Sequence, residues 1–173
     1  MNRKSRIYGH YLSSRCIRIN KGGIQSVMTK EVFITMEGIQ KGLEDEPILT
    51  RASGTYHKLR DKHYIQFEEQ AEEGQGGVSN RIIIVSNQVE MKKKGAVDSE
   101  MVFDLDRKTE VIYRTSYGTL FFEAQTSRVM VKEEEDKIEV ILEYSLFSND
   151  DLISENHTRI RIIPAPMQNT EKV

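Results

Sequence analysis

The chain has 173 residues with a formal net charge of −2, of which 38% are hydrophobic and 30% charged. That length suits one domain with one core, and the longest unbroken aliphatic run, residues 82–85, is far short of a bilayer span, which excludes a transmembrane helix. Residues 1–27 hold six basic groups and no acid, which leaves 19 basic against 27 acidic groups in the remainder, a net charge of −8 there. A surface of that sign repels phosphate backbones and disfavours general nucleic-acid binding.

The basic groups of residues 1–27 are Arg3, Lys4, Arg6, Arg15, Arg18 and Lys21, and no apolar run among them forms the core of a secretory signal. This stretch is expected to be an unstructured extension or to lie upstream of a true start at Met28, where strand-like sequence begins. The single cysteine, Cys16, falls in it, so no disulfide framework or thiolate metal site can form within the chain. A cytoplasmic location is expected from that cysteine usage.

From Lys30 the pattern is that of β-structure. Val32, Ile34 and Met36 alternate with Phe33, Thr35 and Glu37 in a first strand that Gly38 is expected to bend or bulge. Residues 48–59 form a second strand and 63–68 a third, joined by a tight turn at residues 60–62. Residues 69–80, with Gly74, Gly76 and Gly77, read as a loop able to act as a lid. Residues 81–86 and 89–93 make a hairpin around Asn87 and Gln88, and 100–104 a short strand.

Residues 111–126 hold two period-2 strands around Gly118, a hairpin whose second arm sets Leu120, Phe122 and Ala124 on one face. Residues 128–133, an acidic turn at 134–136, a strand with Ile138, Val140, Leu142, Tyr144 and Leu146 on one face, a turn at 148–151 and a strand at 155–163 follow. Pro164 and Pro166 end the pattern, and residues 165–173 are expected to be unstructured. No window shows a sustained helical period, and turn signals recur about every 8–12 residues. The expected fold is all-β: a single meandering antiparallel barrel over residues 28–164, which hides its edge strands by closing.

The order of motifs resembles the YwiB-like family of uncharacterised bacterial proteins. The likeness spans about residues 29–163 and rests on Tyr64 to Glu69, on Lys92, Lys93, Lys94 and Gly95, on Tyr113, Thr115, Tyr117, Gly118 and Thr119, and on Thr126 and Tyr144 to Leu146. Ser116, where a proline looks common in the family, and the basic N-terminal stretch depart from it. The resemblance implies a calycin, or lipocalin-like, barrel; it implies no catalytic residue.

Three groups of residues invite a functional reading. Tyr64, Glu68, Tyr113, Tyr117, Phe122 and Tyr144 are polar-tipped or aromatic groups on or beside the strands, able to orient a small apolar or amphipathic molecule in a barrel lined by Val32, Ile34, Met36, Phe122, Ile138, Val140, Leu142 and Ile160. His57 and His63 flank a tight turn, but with Glu68 they supply too little spacing information for a metal site. Lys92, Lys93 and Lys94 form a basic corner without the interleaved aromatics of a single-strand nucleic-acid binder, and read as a solvated hairpin. No serine, histidine and acid set can be assembled. The sequence therefore leads to a non-catalytic binder of a small molecule, with no metal, no cofactor and no membrane partner expected; the alternative is a protein-interaction or regulatory module acting through its outer surface.

Overall fold

The computed structural model describes residues 29–41, 46–69 and 77–166. The expectations for residues 1–27, for most of the C-terminal tail and for the glycine-rich centre of the 69–80 loop fall outside the described residues. Ten strands follow one another: β1 (Lys30–Lys41), β2 (Ile48–Leu59), β3 (Lys62–Glu69), β4 (Val78–Val85), β5 (Gln88–Lys94), β6 (Asp98–Asp104), β7 (Thr109–Thr115), β8 (Gly118–Glu133), β9 (Ile138–Ser148) and β10 (Asp151–Pro164). Each pairs antiparallel with the next, and β1 also pairs with β10, so the sheet closes into a barrel. Closure removes the free edges that would otherwise template association.

Several boundaries differ from the sequence expectation, each for a local reason. Gly38 causes no bulge: β1 keeps its register with β10 through it and with β2 as far as it, where that pairing ends. Residues 118–133 make one long strand rather than two, with a register shift between Thr126 and Arg128 where pairing to β9 skips a residue. A bulge of this kind bends a strand without ending it. The turn before β10 is two residues, Asn149 and Asp150, both at positive φ (49° and 68°), so β10 starts at Asp151 rather than near residue 155. Two positive φ values match the twist of the flanking strands, and Asn and Asp tolerate them best after glycine. Glu69 and residues 78–80 belong to β3 and β4, which shortens the expected loop at both ends. Ala165 is also tied down, its N–H donating to Glu31 O at 2.9 Å.

The period-2 alternation sets one face of every strand inward. Ile65 and Phe67 of β3, Ile82 and Ile84 of β4, Val89 of β5 and Phe103 of β6 meet the expected Val32, Ile34, Ile138, Val140, Leu142 and Ile160 in one buried cluster. Met36 and Phe122 are partly buried against it. All eight residues expected to line the interior therefore face it. Leu120 does not share their burial: it is in the inward register but lies two residues from the Gly118 turn and is 54% exposed.

Candidate functional site

The meander gives the barrel two unlike ends. The first carries the β2–β3, β4–β5, β6–β7 and β8–β9 turns; the second carries the other connections. At the first end, a cluster of four side chains links the paired strands β2 and β3 to β8, which neighbours neither of them in the sheet. Lys58 Nζ of β2 lies 2.8 Å from both carboxylate oxygens of Glu133 at the end of β8. Glu133 Oε2 is 3.8 Å from His63 Nε2, and His63 Nδ1 is 3.1 Å from the Tyr56 hydroxyl. This polar cluster spans the barrel and leaves a groove of only about 110 Å³ beside Tyr56, Ile138 and Ile162. At roughly 30 Å³ per water, that is space for three or four waters.

Burial pushes the His63 imidazole below its usual value of 6.5, against the opposing pull of Glu133, while Lys58 holds the Glu133 carboxyl below the usual range. The unfolded chain therefore takes up a proton at His63 before the folded one does. Stability from this site is complete above about pH 6.5 and falls as pH drops through that value toward the lower folded pKa; Glu133 adds a loss in the same direction further into acid. Melting curves at pH 7.5 and 5.5 should show a drop for the native protein and a smaller drop for His63→Gln. Equal drops would mean that His63 does not contribute.

The barrel centre is filled with side chains, whereas the second end holds a cavity of about 280 Å³. Its walls are Ile82, Met91, Met101, Val97 and the Tyr113 ring, with Asn80, Lys93 and Ser99 as polar members. Arg81 and Lys92 also border it. Lys93 follows Val89 and Met91 on the inward face, and its Nζ is 3.0 Å from Glu69 Oε1. The Tyr113 hydroxyl points at Met101 Sδ, 3.4 Å away, a weak acceptor. The Tyr113 ring stands edge-on to Phe122 with centroids 5.9 Å apart.

Of the six residues singled out in the sequence, the structure brings three to the interior. Tyr113, Phe122 and Tyr144 face inward; Tyr144 packs against Phe103 at 4.7 Å between ring centroids, and burial pushes its hydroxyl up to about 12. Tyr64, Glu68 and Tyr117 are placed otherwise. Tyr64 and Glu68 are on the outer face of β3, where Tyr64 stacks on His57 with centroids 4.8 Å apart. Tyr117 is fully exposed in the β7–β8 turn, where Thr115 Oγ1 accepts from its N–H at 3.2 Å and donates to Gly118 O at 3.1 Å. The Thr115, Tyr117 and Gly118 spacing thus serves a turn. His57 and His63 point to opposite faces of the sheet and do not converge.

Sequence reasoning passed over Met91, Met101, Asn80 and Ser99, and read as part of a solvated hairpin the inward-facing Lys93. The three consecutive lysines concealed the last of these. Lys92 faces outward to Glu100 at 2.6 Å, Lys94 is exposed, and only the middle lysine enters the barrel. Strict alternation from Val89 was the signal that marked it.

A family model described as Domain of unknown function (DUF1934) matches residues 34–160, from the buried Ile34 of β1 to the buried Ile160 of β10. The chain belongs to this family. The DUF1934 barrel is also similar in fold to the crystal structure of ywiB protein from Bacillus subtilis, with a TM-score of 0.69 over 80% of this chain and 95% of that chain, at 18% identity. The YwiB-like barrel expected from the motifs is the one found. No curated protein sequence matches this DUF1934 chain.

Proposed function

We propose that this barrel binds a small apolar or amphipathic molecule at its second end without catalysing a reaction on it. The observation that carries the reading is the cavity of about 280 Å³ between Ile82, Met91, Met101 and Tyr113, in a barrel whose centre holds the packed core and whose first end has a groove of about 110 Å³. It lies just below the ~300 Å³ at which ligand pockets begin, so the molecule is a small one. Apolar side chains crowd the same end: Ile48, Leu120, Phe121 and Leu152 are each more than half exposed on the strand ends there. An apolar molecule passing that rim stays in contact with side chains of its own polarity. The reading is of a cytoplasmic binder, since one cysteine in 173 residues suits a reducing compartment.

Native mass spectrometry of the purified protein, followed by thermal-shift titration with whatever co-purifies, tests this. A ligand present at 100 times its Kd should add about 2.7 kcal/mol of stability. Val97→Trp, which fills the mouth from a loop position, should abolish the shift. A co-purifying molecule that stabilises Val97→Trp as strongly as the native protein is not in this cavity, and the reading then fails.

A further inference from the structure

Resting on that reading, we infer that the ligand carries an anionic head, a carboxylate, which is held by Lys93 at the cavity's polar side. The cavity's inward-facing polar groups favour donation over acceptance. Lys93 is an ammonium with three donors and no acceptor, and its contacts with Glu69, at 3.0 and 3.3 Å, leave one of those donors free for another acceptor. The Tyr113 hydroxyl spends its proton on a thioether at 3.4 Å, a partner that any oxygen anion improves on. Ser99 adds a hydroxyl. Against these, Asn80 supplies the one side-chain carbonyl among the described lining residues, and its amide nitrogen is already donating to Val78 O at 3.2 Å.

Glu69 pairs with Lys93 but does not border the cavity, so among the described residues Lys93 is the one charged group that lines it from an inward-facing position. Beside these polar groups, Met91, Met101 and Ile82 offer an apolar wall, and the two flexible thioethers can adjust to a chain of varying shape. A short monocarboxylic acid fits both sides. A neutral amphiphile of equal length fills the apolar wall but leaves Lys93 and Tyr113 with their present partners.

Calorimetric titration of the full chain with octanoate and, separately, with 1-octanol tests the head-group separately from the cavity. Octanoate should bind at least tenfold tighter than octanol. The Lys93→Met/Glu69→Gln double variant, which removes both charges without leaving one unpaired, should bring octanoate to the affinity of octanol and leave octanol unchanged; Lys93→Gln serves as a second variant. Octanol binding as tightly as octanoate overturns the inference while the small-molecule reading stands. Octanoate selectivity that survives in both variants also overturns it, because the anion is then held elsewhere. Failure of both probes to bind the native protein overturns the inference together with the reading beneath it.

Discussion

Gly54→Ala is expected to cost about 3 kcal/mol and to lower the melting temperature by roughly 10 °C. Gly54 is an inward position of β2, paired with Val32 on one side and Phe67 on the other. A Cβ there would collide with the carbonyl oxygen of Gln66 and approach Ile34 Cδ1 and Phe67 Cβ, each at 2.8 Å. A flexible side chain could move aside, but the Gln66 carbonyl belongs to the neighbouring strand and can retreat only by pulling β3 away from β2. Gly38→Ala is the matched control. A Cβ at that position meets nothing within 4 Å, so the substitution should be neutral or stabilise by about 0.5 kcal/mol through the unfolded chain. Calorimetric melting of both variants checks the pair; equal melting temperatures would show that the barrel yields at β2 and β3.

Phe103→Ala should destabilise by about 4 kcal/mol. Phe103 is 1% exposed, the bulkiest of the fully buried side chains, and its ring lies 4.7 Å from that of Tyr144. Removing it takes away apolar burial and leaves a void between β5, β6 and β9 that a closed sheet cannot collapse to fill. Urea titration should show the midpoint fall with the slope unchanged, since the surface exposed on unfolding hardly differs. A loss below about 1 kcal/mol would mean that the centre repacks, and the contrast drawn between a filled centre and an open second end would weaken.

Much of the barrel was legible because strand alternation is a property of adjacent residues. Val32 and Ile34, or Val140 and Leu142, announce their shared face without reference to the rest of the chain, and the structure sets all of them inside. Turns were legible for the same reason when the residues forced them, as at Gly118. The bulge after Thr126 was not, because whether a strand stops or skips a residue depends on its partner: β9 runs on past it, so β8 does too.

The candidate site was less legible, as the fates of the tyrosines show. Tyr64 and Tyr113 have the same side chain and both sit within strands, yet one stacks on His57 outside and the other edges the cavity inside. Parity along each strand separates them once one position is anchored to the core: Tyr64 falls between the buried His63 and Ile65, and Tyr113 falls two residues after the buried Val111. Lys93 yields to the same argument. The Lys58, Glu133 and His63 cluster does not, since Glu133 is far along the chain from the other two and meets them only across the closed barrel.

By itself, the amino-acid sequence determined the all-β class, the meandering order of the strands and the inward face of residues such as Val32, Ile34, Val140 and Leu142, because these follow from local alternation and from turn chemistry. Only the tertiary structure decided that the first end is bridged by Lys58 and Glu133 while the second keeps a cavity beside Tyr113 and Lys93. Free volume is what remains after side chains from four neighbouring strands, β4 to β7, have packed at one end of a closed sheet, and no stretch of sequence contains that sum.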